Sequence, residues 1–245
     1  MTDIEFIYKS GNFNKFNNNI SNKKVLVLGS GPSATEVEWE NSNYDVLVTT
    51  SFFYLNKRVL ASNASHVSLS KLVDLKNKDL INYLDRNKDC TISFEPKIKN
   101  YLNNKYHSSS LLAGNAAKNV HNFYKTKEYE NFLKKYYDRM LFFRIEGGLE
   151  GLAGRLCWLT LDAKPKEILI CGIDGISKDF KNDPVNAFRG HKGMGNEHSY
   201  ESYLESYLNF GKKLYKKASE NNIRVVNLGE GKEYNMLTQV SKQYK

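Results

Sequence analysis

Two kinds of hydrophobic pattern follow one another along this chain. Short continuous apolar runs are typical of strands buried on both faces of a parallel sheet, and apolar residues every three or four positions are typical of amphipathic helices. The runs predict strands over residues 24–28, 44–50, 66–69, 91–94 and 224–228, and another from residue 167 into a glycine-bearing tip at 172–175. The spaced residues predict helices over residues 34–39, 79–86, 129–137, 152–163 and 199–220.

Strands interspersed with helices predict βαβ units. The expected fold class is therefore α/β, with a Rossmann-like, mostly parallel, twisted sheet flanked by helices and carrying a helical or lid insertion. Residues 1–22 show no sustained period and predict an irregular N-terminal leader, with 4–8 as a candidate strand. Residues 23–245 are expected to form a single α/β nucleotide-binding domain, with a lid loop at about 178–198.

Composition agrees with one globular α/β domain, because 245 residues that are 40% hydrophobic can bury a substantial core. No apolar run approaches the roughly 20 residues that span a bilayer. The first residues are acidic where a signal peptide would be basic, so the expected location is cytoplasmic. The cysteines Cys90, Cys157 and Cys171 lie far apart, so neither a disulfide framework nor a metal cluster is predicted.

The net charge of +9 raises the question of a nucleic-acid partner. The lysines are spread along the chain, many of them within helical patterns where a solvated face is the ordinary interpretation. Nucleic acid is therefore not the favoured partner. The same charge would attract anionic sugar nucleotides or an acidic membrane surface. Peripheral membrane contact and a homo-oligomer both stay open.

The stretch Gly29-Ser30-Gly31-Pro32-Ser33 directly follows the first apolar strand. Glycines let the backbone turn sharply and bring its amides close to a phosphate, Pro32 can open a helix, and Ser33 adds a hydroxyl there. A tight turn without ligand is the alternative. Ala34 excludes the dinucleotide fingerprint, which needs glycine at that position, and no Gly-Lys-Ser/Thr sequence follows, so a Walker-type ATPase is not predicted.

Three other strand tips carry polar residues or glycines. Thr50 and Ser51 end the second strand, Gly172 and Asp174 follow the strand that starts at residue 167, and 227–231 follow the last strand. In parallel sheets, ligands collect at the carboxyl ends of the strands, where strand order reverses. These tips are therefore candidate ligand contacts, and for Asp174 the alternative is a turn cap.

The glycine-rich segment 188–200 holds two of the five histidines, His191 and His198, with Arg189 and Lys192 nearby. Histidine is the usual general base near neutral pH, and lids that close over substrates are commonly loops of this kind. His198 precedes a predicted helix, which would fix it better than the loop fixes His191. An exposed loop with incidental histidines is the alternative. No metal site is predicted, because the spacing of the two histidines is not a zinc-ligand spacing.

In this order, the segments resemble the bacterial sialyltransferases that decorate lipooligosaccharide. Their wider superfamily includes motility-accessory glycosyltransferases and pterin diphosphokinase-like proteins. The resemblance rests on four segments that cover about half of the chain: 28–33, 45–54, 166–174, and His198-Ser199 before a long helix. It departs from the family at Ser30 and Thr50, where asparagine is usual.

The resemblance implies a glycosyltransferase domain whose donor is a nucleotide-activated sugar, with a CMP-sialic-acid-like donor favoured. It assigns 29–33, Thr50 and Ser51 to the donor and His198 to proton abstraction from a hydroxyl of a glycan or small-molecule acceptor. The implied transfer is inverting and needs no metal or other cofactor, and Arg189 or Lys192 would neutralise the departing phosphate.

Two alternatives stay open. One is an ATP- and Mg²⁺-dependent diphosphokinase-like enzyme acting on a small heterocycle, in which Asp174 and Asp179 would be metal ligands. The other is a non-catalytic protein that binds a nucleotide or nucleic acid.

Overall fold

The computed structural model of the chain describes residues 11–70, 73–94, 126–142, 151–175, 200–232 and 234–244. Its central element is a seven-stranded sheet in which every neighbouring pair is parallel. The strands are β1 (Lys24–Leu28), β2 (Val46–Thr50), β3 (Ala64–Leu69), β4 (Thr91–Phe94), β5 (Met140–Phe142), β6 (Glu167–Cys171) and β7 (Arg224–Asn227).

The strand order is β5-β4-β3-β2-β1-β6-β7. β1 lies inside the sheet, with Val25 opposite Val46 of β2 on one side and opposite Ile168 of β6 on the other. Helices lie along the sheet, so the predicted α/β, Rossmann-like fold is confirmed. The α-helices are α1 (Gly11–Ile20), α2 (Ser33–Glu36), α3 (Lys57–Leu60), α4 (Lys78–Arg86), α5 (Lys127–Tyr136), α6 (Gly151–Asp162), α7 (Tyr200–Glu220) and α8 (Thr238–Ser241).

The sheet is buried on both faces. Along β1, Val25 and Val27 join one hydrophobic cluster, and Leu26 and Leu28 join another. Alternate residues of a strand point to opposite faces, so two apolar layers are built from one continuous apolar run. The first cluster takes residues from α1, α6 and α7, and the second takes them from α4 and α5.

The expectation of an irregular leader is corrected for residues 11–20, which form helix α1. Phe16 and Ile20 of this helix are buried in the first cluster, so the segment belongs to the packed domain. The candidate strand at 4–8 and the expected lid loop at 178–198 lie outside the described residues.

Further differences concern short elements. The helix expected over 34–39 is the four-residue α2, followed by a 3-10 turn at Trp39–Asn41. Strand β5 and helices α3 and α8 had no counterpart in the prediction. Cys90, Cys157 and Cys171 are free and buried. Within the described part of the chain, no helix has both the length and the apolar character needed to cross a membrane.

Candidate functional site

The strand order reverses at β1. The strands β2 to β5 extend from one side of it, whereas β6 and β7 extend from the other. A reversal of this kind leaves a crevice outside the carboxyl ends of the two central strands, where open α/β sheets bind ligands. The loop after β1, residues 29–33, and the tip after β6, residues 172–175, lie at this crevice. We call residues 29–33 the glycine loop.

The backbone of the glycine loop is fastened to the β6 tip. The amide of Gly29 donates to Cys171 O at 2.8 Å, and the amide of Gly31 donates to Gly172 O at 2.9 Å. The amide of Ser33 donates to Asp174 Oδ2 at 2.8 Å. The expectation that these amides cradle a phosphate is therefore corrected, because each already has an acceptor within the protein.

The glycines are explained by the same contact. A Cβ on Gly31 would lie 2.6 Å from Asp174 Oδ2. Gly172 has φ +70°, and a Cβ there would lie 2.6 Å from Gly29 O. Side chains at these positions would push the two tips apart, so the alternative of a tight turn accounts for the Gly-x-Gly spacing.

Ser33 and Asp174 join the two tips through their side chains. The Ser33 hydroxyl donates to Asp174 Oδ1 at 2.7 Å and accepts from the amide of Gly172 at 2.7 Å. Ser33 and Asp174 are 0% and 2% exposed. Both side chains, predicted as ligand contacts, therefore bond to the protein itself. Burial raises the pKa of Asp174, and the hydrogen bonds from Ser33 and Asn235 oppose that rise.

A segment near the C-terminus, residues 227–232 and 234–237, completes this arrangement; we call it the C-terminal segment. Asn235 Nδ2 donates to Asp174 Oδ1 at 2.8 Å, and the amide of Met236 donates to Asp174 O at 2.8 Å. Asn227 Nδ2 donates to Asn235 Oδ1 at 3.0 Å, and Asn227 Oδ1 accepts from the amide of Gly229 at 3.2 Å. Sequence reasoning missed Asn235, which no local pattern marks.

The rim of the crevice carries charged and phenolic groups. The hydroxyl of Tyr234 donates to the carboxylate of Glu36 at the end of α2, and Lys232 Nζ lies 3.5 Å from the same carboxylate. Burial and the Glu36 carboxylate both raise the pKa of Tyr234, so the phenol stays protonated near neutral pH. The C-terminal segment and α2 are thus linked at the surface as well as through Asp174.

The tip of β2 lies beside the glycine loop. Thr49 Oγ1 donates to Leu28 O at 2.9 Å, and the amide of Ser51, at φ +39°, donates to Ser68 O at 2.7 Å. The predicted contacts Thr50 and Ser51 are buried. Among the predicted donor residues, Ser30 and Pro32 are the two that the described structure leaves partly exposed.

Several candidates cannot be placed. His198, His191 and Arg189 lie outside the described residues, as does Asp179 of the magnesium alternative. Asp174 does not suit that alternative, because both its oxygens accept hydrogen bonds from protein donors. The described residues contain no group of three or more side chains suited to hold a metal.

No protein-family model and no curated protein sequence matches this chain. Its structure is similar to that of the sialyltransferase CstII from Campylobacter jejuni. Against CstII with the substrate analogue CMP-3FNeuAc, the identity is 18%, the match covers 84% of this chain and 81% of that chain, and the TM-score is 0.44. Against CstII with CMP bound, the identity is 18%, the match covers 85% of this chain and 80% of that chain, and the TM-score is 0.45. Such values bear on the fold alone.

Proposed function

We propose that this chain is a glycosyltransferase that uses a nucleotide-activated sugar, with a CMP-sialic-acid-like donor. One observation carries the proposal. The three segments with most of the sequence resemblance to sialyltransferases, at the tips of β1, β2 and β6, meet at the reversal of strand order, which is where an α/β sheet binds its ligand.

The donor would lie against the partly exposed residues of the glycine loop, Ser30 and Pro32. The buried members of the predicted set, Gly29, Gly31, Ser33, Gly172 and Asp174, would shape this wall from behind. Thr50 and Ser51, at the neighbouring tip of β2, would close its other side.

The reaction follows from the chemistry of the residues that the resemblance assigns. His198 would accept the proton of the acceptor hydroxyl as the new C–O bond forms. The bond between the anomeric carbon and the phosphate oxygen breaks at the same centre, and the nucleoside monophosphate leaves with the electron pair. Arg189 or Lys192 would stabilise its charge. Attack from the opposite face inverts the anomeric configuration.

Several accompanying predictions stay untested: metal independence, a cytoplasmic location, peripheral contact with an acidic membrane, and homo-oligomer formation. The diphosphokinase alternative gains no support from Asp174, whose oxygens already accept three hydrogen bonds from the protein.

Nucleotide selectivity separates the proposal from its alternatives. Thermal shift would be measured with CMP, UDP and GDP sugars and with ATP, each with and without Mg²⁺. A stabilising ligand at 100 times its Kd adds about 2.7 kcal/mol to the free energy of unfolding. The proposal expects the largest shift from a CMP sugar, independent of Mg²⁺. A shift with ATP that requires Mg²⁺ would favour the diphosphokinase, and no shift with any nucleotide would overturn the proposal.

The role of His198 is tested by His198→Ala beside His191→Ala. Loss of a general base lowers kcat by about 10²- to 10⁴-fold, so His198→Ala should lose that factor in transfer rate. His191→Ala, which removes the same group from the same segment, should lose less than about tenfold. Donor binding should persist in both. Wild-type turnover in His198→Ala would remove this residue from the mechanism.

A further inference from the structure

We propose that Asp174 is a positioning residue that holds the glycine loop and the C-terminal segment in register around the ligand. This role rests on the proposed function, since the ligand is taken to lie on the glycine loop. The role differs from the sequence-based assignment of Asp174 as a ligand contact, because Asp174 acts through Ser33 and does not touch the ligand.

The side chain of Asp174 links two other segments by hydrogen bonds. Its carboxylate accepts hydrogen bonds from the amide and the hydroxyl of Ser33, in the loop after β1. It also accepts one from the side-chain nitrogen of Asn235, in the segment after β7. Asp174 itself follows β6. One buried side chain therefore joins the tips of three strands that meet at the crevice.

Every described polar partner of the carboxylate is a donor. Three donors directed at two oxygens favour the charged form, and a neutral side chain with hydrogens of its own cannot satisfy all three. Burial of a charge opposes folding. Hydrogen bonds to a charged group are shorter and stronger than neutral ones. A buried carboxylate therefore holds the glycine loop more rigidly than a neutral side chain would, which explains its presence if ligand binding needs a rigid loop.

The effect reaches the ligand wall through the peptide units that directly precede Ser33. Ser33 is gripped at both its amide and its hydroxyl, and the preceding residues include the partly exposed Pro32 and Ser30. Gly31 between them packs against Asp174 Oδ2 without room for a side chain. Release of Ser33 would therefore let the exposed part of the loop move.

Asp174→Asn places an amide nitrogen where one of these donors needs an acceptor. If the side chain of Asn235 rotates by half a turn, its oxygen can accept from this nitrogen, and Asn227 must then rotate as well to accept from Asn235. The nitrogen of Asn227 would then face the amide of Gly229, which now bonds to the oxygen of Asn227. If the nitrogen at position 174 takes the place of Oδ1, the hydroxyl of Ser33 loses its acceptor too, and if it takes the place of Oδ2, the amide of Ser33 loses its acceptor. Asp174→Asn therefore breaks one of the two hydrogen bonds that hold Ser33 in either orientation.

Asn227→Asp offers a matched test of the network. Alone, it sets a carboxylate against Asn235 Oδ1. Combined with Asp174→Asn and a rotated Asn235, it supplies acceptors to both Asn235 and Gly229, so the double variant should be more stable than Asn227→Asp alone. It does not restore both hydrogen bonds to Ser33, because an asparagine at position 174 has one oxygen for the amide and the hydroxyl of Ser33.

The experiment measures Tm and the Kd for CMP in the full chain, for wild type, Asp174→Asn, Asn227→Asp and the double variant. Each single variant should lower Tm by about 3–10 °C. The Kd of Asp174→Asn should rise at least about tenfold. The double variant should be more stable than Asn227→Asp while its Kd stays raised, because Ser33 still lacks one of its two hydrogen bonds to residue 174. Leu84→Ala, which removes a buried side chain of α4, is the control: its Tm falls while its Kd stays within about twofold.

The outcomes are distinct. If wild type binds CMP and Asp174→Asn binds it equally well, the positioning role is overturned while the proposed function stands. If wild type binds neither CMP nor any nucleotide of the panel, the proposed function and the positioning role both fail. Should Asp174→Asn not fold, Asn235→Ala removes only one of the three donors; a Kd unchanged from that of Leu84→Ala then overturns the proposal.

Discussion

Gly172 is the residue at which the two central tips come closest. Its φ of +70° is one that residues with a side chain rarely adopt, and its own neighbour across the junction is the backbone of Gly29. Conformation and space therefore both restrict this position to glycine. Gly231 has a similar φ of +87°, but a Cβ there would meet nothing within 4 Å. Comparison of the two positions therefore separates the cost of the backbone conformation from the cost of the steric contact.

We predict that Gly172→Ala costs at least about 2 kcal/mol more than Gly231→Ala in the free energy of unfolding. A left-handed conformation costs an alanine about 1–2 kcal/mol at either position, whereas Gly172→Ala alone also places a methyl group 2.6 Å from Gly29 O. Urea denaturation of both variants checks this. Equal costs would mean that the two tips can separate, contrary to the close contact between Gly172 and Gly29.

At the residue scale, the sequence identified which positions gather at the crevice but not what they bond to. Gly29, Gly31, Ser33, Gly172 and Asp174 do lie together, because each follows a strand that ends at the same edge of the sheet. Their contacts with one another could not be read from the pattern, since Ser33 and Asp174 are 141 residues apart in the chain.

Helix α1 is the element that differs most from its prediction. Five of its ten residues are asparagine, which is a poor helix former because its side chain competes for backbone hydrogen bonds. Its stability comes from packing: Phe16 and Ile20, four residues apart on one face, are buried against the sheet. The ring of Phe16 meets that of His66 in β3 edge to face, with centroids 4.8 Å apart.

Phe16→Ala should destabilise the fold by about 3–4 kcal/mol, the usual cost of removing a buried phenylalanine ring. Asn14→Ala, an exposed change in the same helix, should alter stability by less than about 0.5 kcal/mol. Chemical denaturation of the two variants measures both. If Phe16→Ala were as stable as Asn14→Ala, the packing of helix α1 against the sheet would contribute nothing to the stability of the domain.

The expected strands at 24–28 and 91–94 coincide with β1 and β4. In β1 the signal is a continuous apolar run, because a strand buried on both faces tolerates few polar residues. β4 instead alternates polar and apolar residues, Thr-Ile-Ser-Phe, which is the two-residue period of a strand. β5 was missed because Met140–Phe142 is only three residues long and follows Arg139. The apolar run in the sequence, 140–143, has four residues and lies between two arginines, so it is at the lower limit of the four to eight residues from which a strand can be recognised.

For the molecule as a whole, a titratable group with a strongly lowered pKa is His66, which is 0% exposed in the middle of the sheet. Its ring nitrogens bond the hydroxyls of Thr91 and Ser93 in the neighbouring strand β4. Burial lowers the pKa of His66 from 6.5 to about 3. The imidazole is therefore neutral in the native protein, and it binds a proton only when the sheet opens.

Acid should consequently destabilise the native state through this residue. A group whose pKa is lower in the folded than in the unfolded state contributes stability that is present above the unfolded value of 6.5 and is lost as pH falls toward 3. Between pH 7 and pH 4.5 the loss attributable to His66 is about 2.5 kcal/mol. Urea denaturation of wild type and His66→Gln at pH 7 and pH 4.5 isolates the contribution of His66, since the titrating carboxylates are common to the two proteins. The variant should lose about 2.5 kcal/mol less than wild type over that interval, and equal losses would mean that His66 titrates in the native protein as it does in the unfolded chain.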